Sequence, residues 1–284
     1  MLFNGRFRIF HPMPTLNQKL RPIFLKVERA KKHIVDLVQE VRHFMDTNPY
    51  KVETKRNPET RKLIYYVADV APVPDSLALI VGDVIQNLRT ALYHLAYQLV
   101  CKDTEGNPPD PKSIYFPIAV DVRKYNATKK RKMKGAGQET FDEIDKIKPY
   151  KGGNDLLWVL HQLNNIDKHR LLLMVGSKAS GMNIGQYMVH TTKDKIPDWA
   201  SPAMKAIESM GYFHGFADGG FPLQPGHHLS IGQVDEVPNP KQEFKFDVAL
   251  HELGVSECGP LIETIKQLLA AVENTITALA PRLG

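Results

Sequence analysis

The feature that most constrains this chain is the stretch "DSLALIVGDVIQNLRTALYHLAYQLVC", residues 75–101, where Leu77, Val81, Val84, Leu88, Leu92, Leu95 and Leu99 recur every three or four residues. At the α-helical repeat these side chains form one apolar stripe, and such a stripe is stable only against another apolar surface. Three further stretches supply one. Residues 20–46 carry Ile23, Val27, Ile34, Leu37, Val38, Val41 and Met45, with Pro22 suited to a first turn. Residues 154–173 carry Leu156, Leu160, Leu163 and Leu171, and residues 259–281 carry Leu261, Ile265, Leu268, Leu269, Val272, Ile276 and Leu279. Four stripes of this kind predict a four-helix bundle over 20–46, 76–101, 154–173 and 259–281.

The text between the helices has strand character. "KVETKR" and "KLIYYVADV" flank Asn57-Pro58-Glu59-Thr60, which predicts a hairpin within 50–70. "YMVHTT", "HHLSIGQVD" and "EFKFDVALHEL" predict strands within 184–250, with the glycine-rich "GYFHGFADGGFPLQPG" as a connection. The expectation is an α+β fold, a bundle with one antiparallel sheet packed alongside, forming a single domain over 1–284. Pro117 assigns "IYFPIAV" to an edge. "RKYNATKKRKMKGAGQ" reads as a basic, flexible stretch, and Lys129, Lys130, Arg131 and Lys132 within it are candidate phosphate contacts, the alternative being a solvated loop.

Charge and cysteine usage narrow the function classes. A net charge of +6 and a pI near 9.1 permit an acidic partner such as RNA without requiring one. Cys101 and Cys258 form no CxxC pair, which disfavours a disulfide framework or a zinc finger. No apolar run reaches membrane-spanning length, and "MLFNGRFRIFHPMPT" lacks a signal-peptide core, so the expected location is cytoplasmic. His214, His227, His228 and His251 lack the spacing of a metal motif, and no glycine-rich phosphate loop or nucleophile elbow is present. No metal and no cofactor are expected.

Polar residues interrupt two of the helical stripes. On the second helix Asp83, Asn87 and His94 line one border of the apolar face, and Arg89 lies on the other border beside Ile85. On the third, Asp167 falls in the middle of the apolar face, flanked by Asn164 and Arg170, with Lys168 and His169 adjacent. A carboxylate aimed at a core needs a partner, because desolvating it alone costs several kcal/mol. Arg170, three residues on, is one candidate partner, and His94 or Arg89 are others. His94 as acid or base, with Asp167, Lys168 and Arg170 nearby, would suffice for phosphoryl transfer or RNA cleavage. The alternative is a buried polar network that locks helix register in a non-catalytic interaction protein. A third reading is a small-molecule hydrolase with a pocket between bundle and sheet.

Arg89-Thr90-Ala91-Leu92-Tyr93-His94 has the form R-x4-H and resembles the motif of the HEPN superfamily. These are helical-bundle proteins of toxins, CRISPR effectors and phage-defence systems, and many are metal-independent ribonucleases. The resemblance implies an acid/base role for His94 and phosphorane stabilisation by Arg89, with the pair often acting across a homodimer. Thr90 matches the polar residue after the arginine only loosely, and the motif lies earlier in the chain than is usual in the family. The wider pattern "GDxxxNLRTALxHL" followed by "NNIDKHRLLL" also resembles an uncharacterised bacterial family, over the two central helices.

Overall fold

The computed structural model describes residues 18–182, 222–239, 244–252, 254–255 and 260–284. The expected strand "YMVHTT", most of the glycine-rich connection, His214 and Cys258 lie outside them. The architecture is α+β, with six α-helices and small antiparallel sheets among the described residues. The helices are α1 (Arg21–Asp46), α2 (Asp75–Asp103), α3 (Val122–Lys132), α4 (Gln138–Ile147), α5 (Asp155–Asp167) and α6 (Leu261–Leu279). The strands are β1 (Tyr50–Arg56), β2 (Lys62–Val70), β3 (Met174–Met182), β4 (His228–Val234) and β5 (Phe244–Leu250). None of these helices is long and apolar enough to cross a membrane.

The chain divides into two compact units, and α1, α2, α5 and α6 each contribute residues to both. One unit comprises 1–31, 85–161 and 268–284. Its core holds Ile23, Val27, Leu88, Leu92, Leu95, Leu99, Leu157, Leu160, Val272 and Ile276, the apolar positions that recur at helical spacing. The basic stretch expected to be flexible is here helix α3. Asp121 caps it by accepting a hydrogen bond from Lys124 N at 2.6 Å. Tyr125 is buried on its inner side and donates its hydroxyl to Asp145 of α4 at 2.7 Å, while Lys129 Nζ pairs with the same carboxylate at 2.6 Å. The carboxylate neutralises one basic residue and the tyrosine supplies apolar area, so a segment that looks fully solvated folds as a helix.

The second unit comprises 32–84 and 162–267 and contains both sheets. β1 and β2 form the expected antiparallel hairpin, and Asn57 Oδ1 closes its turn by accepting from the N–H groups of Glu59 and Thr60, each at 2.9 Å. β4 adds to β2, giving the order β1-β2-β4. The single sheet expected from the sequence is in fact two, because β3 pairs with β5 in a separate antiparallel ladder. Tyr50 packs beside the second ladder, 5.0 Å from the Phe246 ring, and a side chain at Gly176 would start 2.6 Å from its hydroxyl. Glycine is therefore required at that point of β3.

Helix α5 ends at Asp167, six residues before the expected terminus at 173. Leu171 lies beyond it and is exposed, as is Leu156 at its start. The buried face is Leu157, Trp158, Leu160, Leu163 and Asn164, about one position round the helix from the expected stripe.

Candidate functional site

Arg89 is not on the helix surface, where its border position on α2 placed it. It is 1% exposed and is the largest fully buried side chain among the described residues. The segment 114–119 covers that side of the helix. Tyr115 N donates to Lys132 O at 2.8 Å and Ala119 N donates to Pro149 O at 3.1 Å, which ties the segment between the ends of α3 and α4. Arg89 Nη2 donates to Phe116 O at 3.1 Å, and its guanidinium lies 4.5 Å from the centre of the Tyr93 ring one turn along α2. Nε and Nη1 have no hydrogen-bond partner, and no carboxylate pairs with the group among the described residues. Burial draws its pKa down to about 10, with the Tyr93 hydroxyl opposing, so it stays charged at neutral pH.

A second cation faces the same segment. Lys132, the last residue of α3, donates from Nζ to Ile118 O at 2.7 Å. Burial is the main reason its amine falls to about 8, and the positive charges of Arg89, Arg131 and Lys124 push in the same direction. The four basic residues proposed as phosphate contacts therefore separate. Lys132 turns inward towards Arg89, Lys129 is held by Asp145, and Lys130 and Arg131 are exposed. Arg89 is buried and Lys132 half-buried, and the carbonyls they hold, Phe116 and Ile118, are two residues apart on one segment. With no carboxylate on either cation among the described residues, the pair is suited to an anion.

His94 is half-buried in this unit, and its Nδ1 is enclosed without a hydrogen-bond partner among the described residues. Five residues at about 100° each put it about 140° round α2 from Arg89. One copy of the helix therefore does not direct both side chains at one atom. Asn87 is half-buried on the same helix.

Asp83, Asn164, Asp167, Lys168, His169 and Arg170 belong to the other unit. Asp167 does not pair with Arg170. Its carboxylate rests against α2 at Gly82, where an added Cβ would overlap Oδ1. Desolvation, then the charge of Asp83, raises its pKa above the ordinary carboxylate value. An interior helical glycine costs about 1 kcal/mol against alanine, and the space it leaves here is filled by Asp167. Arg170 instead makes a two-pronged pair with Glu252, Nη1 to Oε1 at 3.0 Å and Nη2 to Oε2 at 2.6 Å. Glu252 Oε1 also accepts from Leu173 N at 2.8 Å. Asn164 is 1% exposed, and neither atom of its amide has a partner among the described residues. Asp83, Lys168 and His169 are exposed.

The raised pKa of Asp167 makes its charge a liability of the folded state above the unfolded carboxylate pKa, because the native form holds its proton more tightly. Asp167→Asn is therefore expected to raise the melting temperature at neutral pH, and the gain should fade as pH falls below the ordinary carboxylate range. Thermal melts across pH 3 to 8 read this directly, and an unchanged or lower melting temperature at pH 7 contradicts it.

Tyr93, Tyr115 and Glu252 contribute to these arrangements and were not singled out in the sequence. Tyr93 lies one turn after Arg89, a spacing that brings two helical side chains together. Nothing local marks Glu252, which reaches Arg170 from a distant segment. Among the described residues no group of three His, Cys, Asp or Glu side chains is placed to hold a metal ion. No family model, curated protein or solved structure matches the chain.

Proposed function

We propose that this chain is an RNA-binding protein of HEPN type, with Arg89 and Lys132 as its phosphate contact. The observation that carries the reading is Arg89, a guanidinium 1% exposed, with two nitrogens unused and no carboxylate partner among the described residues. Uncompensated burial of a charge costs several kcal/mol, and an anionic ligand would offset that cost. The exposed Lys130 and Arg131 on α3, with the net charge of +6, favour a polyanion as the source of the phosphate.

The finer form of the proposal is metal-independent cleavage. The 2′-hydroxyl gives up its proton and attacks the adjacent phosphorus, and Arg89 stabilises the charge on the phosphorane. The P–O5′ bond breaks as the leaving 5′-oxygen takes a proton, giving a 2′,3′-cyclic phosphate and a 5′-hydroxyl. His94 serves as the base or the acid in these proton transfers. Because the two side chains diverge on α2, this form uses His94 from a second copy of the chain. A non-catalytic interaction protein is the second reading, favoured by Arg170–Glu252, a polar pair built for position.

Gel-shift titration with single-stranded RNA at two salt concentrations, alongside an RNA-degradation assay containing EDTA, tests both forms. Binding that weakens with salt is expected, together with cleavage that falls at least ~100-fold in His94→Ala. Absence of RNA binding sinks the proposal. Binding without cleavage, or cleavage unchanged in His94→Ala, removes only the nuclease form.

A further inference from the structure

The shape and charge of the Arg89–Lys132 site narrow what part of an RNA can reach it. Arg89 Nε and Nη1 lie wholly inside the unit, behind the 114–119 segment. An internal phosphodiester carries a ribose on each side, and both would have to follow it inward. A chain end has one such substituent and can enter alone. A phosphate held this way is bound and not cleaved, so Arg89 here serves the RNA-binding form of the proposed function and not the nuclease form. The charges agree with this. A phosphodiester carries one negative charge, whereas a terminal monoester carries about 1.5 to 2 at pH 7, which matches the buried guanidinium of Arg89 and the half-buried ammonium of Lys132 together. A line of aromatic rings leads outward from the guanidinium. Tyr93 lies against Arg89, and Tyr115 meets Tyr93 edge to face with ring centres 5.4 Å apart. Tyr115 is 46% exposed, a large flat surface at the outer end of that line.

We propose that the site receives the monoester phosphate of an RNA end between Arg89 and Lys132, with the terminal base stacked on Tyr115. This rests on the reading of Arg89 as an RNA-phosphate contact. The carbonyls of Phe116 and Ile118 orient the two cations and leave their remaining N–H donors for the ester oxygens. The site recognises a chain terminus and takes its sequence tolerance from stacking, since every base has a face that a tyrosine ring can cover.

The experiment compares five-nucleotide RNAs of one sequence ending in a 5′-phosphate, a 3′-phosphate, or hydroxyls at both ends, bound to the full chain and followed by fluorescence anisotropy. One phosphorylated form is expected to bind at least ~10-fold tighter than the hydroxyl-ended RNA. That preference should disappear in Lys132→Met, and Tyr115→Ala should weaken the preferred RNA on the order of tenfold. A thermal melt of each variant separates lost binding from lost folding, and the comparison on the unmodified protein decides the matter without them. Equal binding of all three RNAs overturns the terminal-phosphate inference while leaving RNA binding intact. No binding of any of them overturns both.

Discussion

Replacing Arg170 with alanine is expected to lower the melting temperature by roughly ten degrees, and Glu252→Gln by much less. The asymmetry follows from where the two charges sit. The Glu252 side chain is 2% exposed and that of Arg170 is 56% exposed. Removing the arginine strands a buried carboxylate whose remaining hydrogen bond among the described residues is the one from Leu173 N. Converting Glu252 to glutamine keeps an acceptor for Leu173 and leaves a guanidinium that water already reaches. The damaging change is the one whose survivor is buried. Arg170 was an attractive catalytic candidate because of its place in "DKHR" beside Asp167, yet its pairing gives it a positional role. Melting and RNA-binding curves on the same variants separate the two roles. An Arg170→Ala protein that melts like the parent but loses RNA cleavage would return Arg170 to the active site.

How far the sequence could be read depended on whether a feature was local. The long helices announce themselves because Leu77, Val81, Leu88, Leu92 and Leu99 repeat at the helical period, and all five are buried as that spacing requires. The β1–β2 hairpin was legible because Asn57-Pro58 can do little other than turn. Helix α3 was not, since its run of lysines hides a single buried tyrosine and one neutralising carboxylate that lies on α4. The shift of the α5 face has the same origin. Leu156 and Leu171 fit the spacing, but periodicity reports which residues share a side and not how far the helix runs. Arg89 is the most instructive case. A helical wheel places it correctly on the border of the stripe, and only the segment 114–119, absent from any wheel, turns that border into an interior. Arg170 and Glu252 are joined across distant segments, and no local pattern carries such a pair. The division of the strands into two sheets was hidden for a similar reason, because alternation identifies strands without saying which of them pair.

Arg89→Met is expected to make the protein more stable and, under the proposed function, to abolish binding of RNA phosphate. Burial lowers the guanidinium from its ordinary value to about 10, which corresponds to a penalty on the order of 3 kcal/mol against the charged form. That lowering is what remains after Tyr93 has offset part of the burial, so the contacts of the guanidinium do not compensate it in full. Methionine fills much of the same volume with no charge to desolvate, so a gain in the range of about 1–4 kcal/mol is expected. The sign holds across neutral pH. Arg89 is protonated in both folded and unfolded chains below about 10, so the penalty is fully present there and narrows only as pH rises through that value. Arg89→Ala serves as the contrast, because it removes the charge but leaves a cavity and should not share the gain. A residue kept only for stability would not behave in this way. A binding residue held against a cost does, since the ligand supplies the missing counter-charge. Chemical denaturation with phosphate absent and then present tests the argument. If Arg89→Met unfolds more readily than the parent under both conditions, the guanidinium is a structural clamp and the anion site fails with it.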